Sequence, residues 1–465
     1  MRNVIILLFA LCISFSTKAQ DISGTWNGVL KVQGTQLRLT FNVDKTESDF
    51  SATMDSPDQG AFGIPVTKTI FENNMIKFEV SKLLIVYQGE LKENEIIGTF
   101  KQGGQEFPMN LSKNKIEKEI VKRPQEPSKP YPYTSEDITF QNEKANILLS
   151  GTLTLPEKEG NYPVVILISG SGPQNRDEEL LGHKPFLVLA DHLTKNGIAV
   201  LRYDDRGVGA SKGDFNSATS ADFATDVESA IAYLKTRKEI NKKKIGLVGH
   251  SEGGLIAPMI ASKSKDVNFI VLLAGPGITG AKILLLQQEL IARASGASET
   301  DIKKTYDANK AVFDLVENTN DDQKLKEDLT KLLFASLENN QTMEIPEALT
   351  KEEYVSMQIS KVLNPWMKFF LKYDPATALE KIKCPVLAVN GEKDLQVPPK
   401  ENLSTIKNAL TKGGNKKVSI IEFPNLNHLF QEAKTGNTSE YASIEQTFSP
   451  IALEAITNWI KIQVE

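Results

Sequence analysis

The sequence predicts an α/β protein whose main domain is a doubly wound, mostly parallel sheet with a helical cap insertion, preceded by a small all-β barrel or sandwich. Short alternating strands are expected in residues 21–112. After residue 134, continuous apolar runs alternate with amphipathic helices. A helix-like stretch of roughly 100 residues then interrupts that alternation, as an insertion between two strands would.

The bulk composition is that of a soluble globular protein with more than one domain. A chain of 465 residues is too long for one ordinary core. Its apolar fraction of 40% and charged fraction of 24% exclude a disordered or fibrous protein. The net charge of −5, without a basic stripe, gives no reason to expect a nucleic-acid partner.

The first residues have the pattern of a secretory leader. Arg2 precedes the apolar run Val4–Cys12, and a polar stretch follows that ends at the small residue Ala19. A membrane anchor is the alternative, but the run is well short of the ~20 residues that span a bilayer. The sequence therefore predicts a signal peptide over residues 1–19, cleaved near Ala19. The mature protein is expected to be periplasmic or extracellular, without stable membrane insertion.

Residues 21–112 predict a small antiparallel β domain, either a lipocalin-like barrel or a sandwich. Asn73-Asn74 and Lys92–Asn94 are expected at hairpin turns. The opening Gly24-Thr25-Trp26 is similar to the Gly-x-Trp that begins lipocalin-like barrels. No polar constellation here suggests chemistry, so an accessory or structural role is expected. The strands are expected over Gly24–Leu30, Leu37–Phe41, Ile76–Val80, Leu83–Tyr87 and Glu95–Phe100.

A linker is expected between the two domains. Residues 113–133 are rich in lysine and glutamate and then in proline, a semi-extended composition with no apolar side chains for a core.

Residues 134–465 predict the doubly wound domain. Ile138–Phe140 and Ile147–Leu155 form a leading hairpin, and a final helix covers about 450–462. Apolar runs of four to six residues separated by helices are typical of parallel strands buried on both faces. Helix-like sequence over about 277–375 predicts the cap. The buried strands are expected over Val164–Ile168, Ile198–Tyr203, Ile245–Val248, Phe269–Leu273, Val386–Val389 and Ser419–Phe423, with helices near 183–195, 220–236, 257–261 and 399–410.

The segment Gly249–Gly254, with the sequence GHSEGG, contains the candidate nucleophile. It follows the predicted strand Ile245–Val248 directly and precedes a helix-like run. A serine in so sharp a strand-to-helix turn has a strained backbone, and only glycines around it leave room for the chain. The turn exposes the Ser251 hydroxyl above the sheet, and the helix N-terminus favours negative charge beside it.

A serine hydroxyl needs a general base, and the chain has four histidines. His250 precedes the nucleophile and should point into the fold, while His183 and His192 belong to a predicted helix. Only His428 follows the last predicted strand, where a loop can reach back over the turn. Elimination and chain order therefore select His428.

The third member must be a carboxylate that accepts a hydrogen bond from the imidazole. Asp394 lies in the loop that leaves the strand Val386–Val389, between the serine and the histidine in the chain. This is the order Ser, Asp, His that the nucleophile-elbow pattern requires. Glu392, two residues earlier, is the rival acid.

The developing oxyanion needs fixed donors. One donor is expected to be the backbone N–H of Glu252. The second is expected from the glycine-rich segment Ser169–Pro173, with Ser171 preferred and Gly170 as the alternative.

Taken together, these segments resemble the α/β-hydrolase superfamily, over about residues 134–465. The resemblance rests on Ser169–Pro173 with Asn175–Asp177, Tyr203–Ser211, Gly249–Gly254 and Gly391–Asp394. Secreted bacterial carboxylesterases and serine-aminopeptidase-like hydrolases with an extra N-terminal domain are the most similar branch. The chain departs from the common His-Gly oxyanion motif in having Ser169 where histidine is usual. Asp205 and Arg206 are expected to brace the loop under the site through salt bridges.

The expected reaction is two-step acyl transfer to water. His428 takes the proton of Ser251 as it attacks an ester carbonyl, and water then releases the acyl-enzyme. Because the base must be neutral, activity should fall as pH drops through about 6–7. A small-molecule ester, with a short acyl group, is preferred over a peptide. No cofactor is expected, and no metal, since His-Glu-x-x-His and paired Cys/His spacings are lacking.

Two other functions remain open. A serine aminopeptidase would need carboxylates for an α-ammonium group, and Glu252 or the acids of the cap could supply them. A catalytically inactive protein that binds carbohydrate or lipid through the β domain is the non-enzymatic alternative. Trp366, Phe369 and Phe370 would line an acyl pocket or pack the cap helices. The sequence leaves the oligomeric state open.

Overall fold

The structure is a computed structural model. It describes residues 21–32, 35–47, 49–59, 61–102, 105–117, 123–339, 345 and 349–465. The predicted signal peptide over residues 1–19 lies outside the described residues, as do parts of the predicted linker (118–122) and cap (340–344 and 346–348). The described chain divides into two compact units, residues 21–32 with 36–117 and residues 123–465.

The first unit is one antiparallel sheet that curves into a half-barrel around its own core. Its strands are β1 Gly24–Val32, β2 Thr35–Lys45, β3 Phe50–Ser56, β4 Ala61–Pro65, β5 Lys68–Glu72, β6 Met75–Val80, β7 Ile85–Lys92, β8 Glu95–Gln102, β9 Gln105–Pro108 and β10 Leu111–Ser112. They are ordered β4-β3-β2-β1-β10-β8-β7-β6-β5, with β9 paired to β8. Because the described strands of this unit all belong to one sheet, a barrel-type fold is favoured over a sandwich.

The alternation of side chains explains the sheet's two faces. Along β6 and β7 every second residue is buried, as the apolar and polar pattern predicts. The inner face carries Trp26 and a cluster of rings in which Phe41 and Phe78 stack with centroids 4.5 Å apart. Asn73 and Asn74 have φ of 50° and 62°, so the predicted hairpin turn takes the left-handed conformation that asparagine tolerates.

The second unit is built on a mostly parallel sheet, which confirms the predicted fold class. Its strands are β11 Thr134–Asn142, β12 Ile147–Leu155, β13 Tyr162–Ile168, β14 Ala199–Tyr203, β15 Ile240–His250, β16 Phe269–Leu273, β17 Val386–Gly391 and β18 Val418–Phe423. They are ordered β11-β12-β14-β13-β15-β16-β17-β18. The leading hairpin is antiparallel, and β14, β13, β15, β16, β17 and β18 pair in parallel.

Helices cover both faces of this sheet, which is why its central strands are largely buried and mainly apolar. The helices outside the insertion are α1 Pro185–Lys195, α2 Ser220–Thr236, α3 Gly253–Ala261, α10 Pro399–Lys412 and α11 Pro450–Val464. Helices α2, α3 and α10 pack on one face and α1 and α11 on the other, and each layer has its own core. A capping box between Thr219 and Asp222 begins α2 at Ser220, as predicted.

The insertion between β16 and β17 is helical, as the sequence predicts. Its helices are α4 Gly280–Ala294, α5 Glu299–Asn318, α6 Asp322–Asn339, α7 Lys351–Val362, α8 Pro365–Lys372 and α9 Ala376–Leu379. A separate small core of leucine, isoleucine, valine and phenylalanine side chains holds them together, with Val316, Leu325, Leu329 and Leu371 at its centre. The insertion is therefore a subdomain with its own packing.

The second half of the predicted linker belongs to the second unit. Arg123 is only 8% exposed, and its guanidinium donates hydrogen bonds to the backbone carbonyls of Leu181, Gly182, Ala442 and Ile444. The linker prediction considered only apolar burial, whereas residues 123–133 are held by polar contacts of this kind. In the part of the chain that the structure describes, no helix is both long and apolar enough to cross a bilayer.

Candidate active site

Ser251 lies in the turn between β15 and α3, at the carboxyl end of the parallel strands. Its φ of 51° is in the left-handed region, which a non-glycine residue enters only at a cost. A Cβ on Gly249 would collide with the carbonyl of Gly253, and one on Gly253 would collide with the carbonyl of Ile168. The N–H of Ser251 donates to Leu273 of β16 at 2.9 Å. The two glycines thus allow the tight turn that the sequence predicts.

His428 and Asp394 form a hydrogen-bonded pair. The Nδ1 of His428 is 2.7 Å from the Oδ2 of Asp394, and the two residues are 4% and 2% exposed. The other carboxylate oxygen, Oδ1, accepts the backbone N–H groups of Gln396 and Val397, both at 2.8 Å. Because Nδ1 is engaged, Nε2 is the ring nitrogen that can accept a proton.

Ser251 and His428 line the same cavity. In the described structure no hydrogen bond joins the Ser251 hydroxyl to the His428 ring. Such bonds are often long in the absence of substrate and tighten in the reactive complex, so the arrangement is compatible with a nucleophile and its base.

The rival residues have other contacts. Glu392 accepts the backbone N–H of Asn425 through Oε2 at 2.9 Å. His183 is fully buried between the Thr447 hydroxyl and the Tyr441 carbonyl, and this burial lowers its pKa to about 4. His192 lies on α1. Neither His183 nor His192 lines the cavity.

The predicted oxyanion donors differ in what they already bind. The N–H of Gly170 donates to the Oε1 of Glu178 at 2.7 Å. No described residue accepts the N–H of Ser171 or that of Glu252. Ser171, Glu252 and Ser251 all line the cavity. The geometry therefore favours Ser171 over Gly170 as the partner of the Glu252 donor.

Two buried carboxyl groups hold the segment that contains these donors, called here the oxyanion loop (residues 169–174). Asp205 accepts the Ser169 hydroxyl at 2.8 Å and the Gln174 N–H at 2.9 Å. Glu178 accepts the Gly170 N–H at 2.7 Å. The Ser171 side chain acts on a third buried carboxyl group, that of Glu252, by lowering its pKa. Ser169, which stands where histidine is usual, is thus one of the tethered positions.

The Glu252 side chain also reaches the cap. Its Oε1 accepts the Ser220 hydroxyl at 2.5 Å and the Trp366 indole N–H at 2.7 Å. Glu252 is 2% exposed, and this burial raises its pKa although its donors act in the opposite direction. One residue therefore supplies a candidate oxyanion donor through its backbone and connects α2 with α8 through its side chain.

Among the described residues, the expected salt bridge is present for Arg206 and absent for Asp205. Arg206 pairs with Asp226 of α2, its Nε 2.8 Å from Oδ2. Asp205 has no arginine partner among the described residues and acts through the oxyanion loop. Burial, and to a lesser extent the nearby Glu252 and Glu178, raise the pKa of Asp205 to about 8.

The cavity in front of Ser251 has a volume of about 230 Å³. Trp366 and Phe370 line it, which agrees with the expectation that these aromatic residues form an acyl pocket. Their rings stack on each other with centroids 5.0 Å apart. Phe369 instead stacks on Tyr373. The remaining wall is mainly apolar with a few amides: Leu180, Pro276, Ile283, Leu284, Val397, Leu429, Gln174, Gln287 and Gln396.

Sequence reasoning missed Glu178, Ser220 and the role of the Glu252 side chain. Glu178 directly follows the segment Asn175–Asp177 that contributes to the hydrolase resemblance, so its position was a signal that could have been followed. Nothing in the sequence links Ser220 to the site, because it reaches Glu252 only through the packing of α2 against α3.

The family follows from a comparison of the sequence with known proteins. A model of the family described as "Serine aminopeptidase, S33" matches residues 184–433, more than half of the chain. The chain belongs to this family. It is thus an α/β hydrolase, as the resemblance predicts.

Relatives of this hydrolase include esterase EstD of Thermotoga maritima, which is 27% identical over 303 residues. That alignment covers 64% of this chain and 61% of EstD, so the chain spans only part of its relative's length. Among solved structures, the Pyrococcus furiosus esterase PF2001 is similar with a TM-score of 0.44 and 16% identity, covering 75% of this chain and 100% of that one. Est1E of Butyrivibrio proteoclasticus, solved with ferulic acid, has a TM-score of 0.40 and 18% identity, covering 70% and 99%.

Proposed function

We propose that this hydrolase cleaves carboxylic esters with short acyl groups, using Ser251 as nucleophile, His428 as base and Asp394 as its partner. The observation that carries the proposal is the His428–Asp394 hydrogen bond of 2.7 Å beside a cavity that Ser251 also lines. These groups come from three loops at the carboxyl ends of β15, β17 and β18. That edge is where open parallel sheets bind their ligands.

The proposed reaction has two steps. His428 Nε2 takes the Ser251 proton as Oγ attacks the ester carbonyl carbon, and the resulting oxyanion binds the N–H groups of Glu252 and Ser171. Collapse of this intermediate breaks the bond to the alcohol, which leaves with the proton from His428. Water then attacks the acyl-enzyme in the same way, releasing the carboxylic acid and regenerating Ser251.

The cavity supports an ester rather than an aminoacyl substrate. Its carboxylate side chains, Glu178 and Glu252, are already occupied by protein donors and are 4% and 2% exposed. An α-ammonium group would have to displace these donors. The volume of about 230 Å³ also supports a short acyl chain, because pockets for larger ligands typically exceed ~300 Å³. The esterase relative agrees with this choice.

The first test replaces Ser251 by alanine. S251A should fold normally and lose turnover of p-nitrophenyl acetate and butyrate, whereas S262A should retain it. Ser262 is a suitable control because its hydroxyl caps α3 through the Met259 carbonyl and does not line the cavity. Wild-type turnover by S251A would refute the proposed nucleophile.

A substrate panel separates the alternatives. The family's description makes an aminopeptidase the second candidate. Faster hydrolysis of aminoacyl-arylamides than of butyrate esters would favour it. Covalent labelling of Ser251 by a fluorophosphonate should occur in either enzyme. A folded wild-type protein that resists labelling would favour the inactive binding protein instead.

Export is proposed on the sequence pattern alone. Expression in a bacterial host with an intact secretion system should yield a protein that begins near residue 20. Mass spectrometry of the purified chain tests this, and retention of residues 1–19 would contradict it.

A further inference from the structure

A second histidine–carboxylate contact lies next to the proposed nucleophile. The Nδ1 of His250 is 2.9 Å from the Oε1 of Glu178, and the rings of His250 and His428 have centroids 4.8 Å apart. His250 and Glu178 are 6% and 4% exposed. The proposed reaction uses neither side chain, so their burial beside Ser251 needs a separate explanation.

The partners of His250 determine where its protons are. Its Nε2 is 3.0 Å from the backbone carbonyl oxygen of His428. A carbonyl oxygen can only accept, so Nε2 carries a hydrogen and donates it. Burial by itself would lower the pKa of His250, but the Glu178 carboxylate, aided by the His428 carbonyl, raises it above its ordinary value. When the ring is protonated at both nitrogens, it donates to Glu178 as well as to His428.

The same Glu178 oxygen has a second donor. Its Oε1 also accepts the N–H of Gly170 in the oxyanion loop at 2.7 Å. A continuous chain of hydrogen bonds therefore runs from Gly170 through Glu178 and His250 to the His428 backbone. His428 is thus held at two points, by Asp394 at its ring and by His250 at its carbonyl.

Glu178 occupies this place in spite of two unfavourable features. Its Oε2 is buried and has no hydrogen-bond partner among the described residues. Its φ of 51° lies in the left-handed region. Buried unpaired oxygens and strained backbones are retained where the surroundings demand them, and they concentrate at functional sites.

We propose that Glu178 and His250 are positioning residues, which fix the oxyanion loop and the His428 loop relative to Ser251. This inference rests on the proposed function, since it assigns those loops their parts in acyl transfer. Both residues line the cavity, but neither has a step of its own in the proposed acyl transfer. Their loss should misplace the Ser171 donor and the His428 base, so kcat should fall while KM changes little.

The chain offers a matched control for a purely structural role. His183 is also a buried histidine whose Nε2 faces a backbone carbonyl, that of Tyr441, at 2.9 Å. It does not line the cavity. Substituting His183 should therefore lower the unfolding temperature as substituting His250 does, without the loss of kcat.

The experiment compares full-length variants with p-nitrophenyl butyrate as substrate. E178A and H250N should lower kcat by about 10-fold or more with KM within about twofold, because small misplacements of reacting groups are costly. E178Q keeps an oxygen for Gly170, and H250Q keeps an amide donor for the His428 carbonyl. Each should recover part of the loss. H183Q should keep wild-type kcat.

The rate of labelling by a fluorophosphonate gives an independent reading of the same geometry. It should fall in E178A and H250N in parallel with kcat. If E178A and H250N do not fold, the test uses the labelling rates and kcat of E178Q and H250Q. Wild-type labelling rates and wild-type kcat in both of these variants would overturn the proposal. Equal losses of kcat in H250Q and H183Q would also overturn it.

The two proposals fail in different ways. Turnover by S251A at the wild-type rate would refute the proposed function itself. An inactive S251A together with fully active E178A and H250N would leave the proposed function intact and refute only the positioning roles.

Discussion

At the scale of single residues, the orientation of Asp394 has a direct chemical consequence. Its Oδ1 is held by two backbone N–H groups, from Gln396 and Val397, and its Oδ2 faces the Nδ1 of His428. Because backbone N–H groups need an acceptor, the Oδ1 position must remain an oxygen in any variant that keeps the loop. The atom at the other position, Oδ2, is therefore the one that a substitution changes, and it is the atom that faces His428.

This argument predicts the effect of D394N. The amide oxygen should take the Oδ1 position, which directs the NH₂ group at His428 Nδ1. The imidazole must then carry its hydrogen on Nε2 and can no longer accept the Ser251 proton. Ester kcat should fall by about 10⁴-fold, the size of effect expected when the base is held in the wrong tautomer. Steady-state kinetics measure this.

The control for D394N is E392Q. Glu392 is the neighbouring acid, and the one side-chain contact that the described residues give it is the Asn425 N–H. Its variant should keep kcat near the wild-type value. A larger loss in E392Q than in D394N would reverse the assignment of the acid.

Asp205 predicts a dependence of stability on pH. Burial, the largest influence, raises its pKa from 3.8 to about 8. Between these pH values the folded protein keeps the Asp205 proton and the unfolded chain releases it, so stability falls as pH rises from about 4 to about 8. D205N lacks this titration. The unfolding temperature of the wild type minus that of D205N should therefore be larger at pH 5 than at pH 9.

Thermal unfolding followed by circular dichroism provides the measurement. The control is D214N, because Asp214 is exposed and has a lowered pKa, so it stays ionised in both states over this range. Its difference from wild type should be constant. A difference for D205N that stays constant from pH 5 to pH 9 would mean that Asp205 is ionised when folded.

The sequence predicted site residues of types that are rare in the chain. It did not predict residues whose role depends on tertiary contacts. With four histidines and one GHSEGG segment, elimination selected Ser251 and His428. Glu178 could not be chosen in that way, since the chain has many acids and its role depends on contact with Gly170 and His250. The same holds for Ser220, which meets Glu252 through helix packing.

At the scale of elements, helix α8 of the cap is connected to the proposed oxyanion donors through Glu252. Trp366 donates its indole N–H to the Glu252 side chain, and the Ser171 side chain lowers the pKa of that carboxyl group. The N–H groups of Glu252 and Ser171 are the proposed oxyanion donors. A change in the position of α8 should therefore move the donors that bind the oxyanion.

W366F tests this connection. Phenylalanine keeps an aromatic ring that can stack on Phe370, and it removes the N–H donor together with part of the indole's area. We expect kcat to fall by about 3- to 10-fold, corresponding to a hydrogen bond of about 1 kcal/mol, with a smaller change in KM. Ester kinetics of the purified variant measure both constants.

Trp459 provides the matched control for that substitution. It lies on α11 and donates its indole N–H to the Ser419 hydroxyl at 3.0 Å, away from the cavity. W459F should lose stability without losing kcat. Equal effects of W366F and W459F on kcat would disprove a specific link between the cap and the oxyanion loop.

The elements that could be predicted are those with long, unambiguous patterns. The strands β14, β16 and β17 are buried along their whole length and mainly apolar, so they were found from continuous runs. Strands β9 and β10 are too short to show a period. Strand β3 does alternate, with Phe50, Ala52 and Met54 separated by polar residues, and sequence reasoning missed it. The pairing of all three depends on neighbouring strands of the half-barrel, which local sequence does not reveal.

At the scale of the whole molecule, the two units have separate cores. The apolar core of the first unit consists of side chains between Ile22 and Leu111. The sheet of the second unit is packed by side chains between Ile138 and Ile460. Ser251, Asp394, His428 and the oxyanion loop all belong to the second unit. A role of the first unit in the chemical step is therefore not required.

This separation predicts that residues 119–465 form an active hydrolase by themselves. Because both core layers of the sheet and every residue of the proposed site are retained, the shortened chain should fold and keep kcat for p-nitrophenyl butyrate within about twofold of wild type. The reciprocal chain, residues 21–118, serves as the control: it should fold, bury its single tryptophan, Trp26, and show no turnover. Calorimetry and ester kinetics on both chains measure these outcomes. Loss of kcat in a folded 119–465 chain would instead place a functional contribution in the half-barrel, and a failure of that chain to fold would show that its two core layers are insufficient without it.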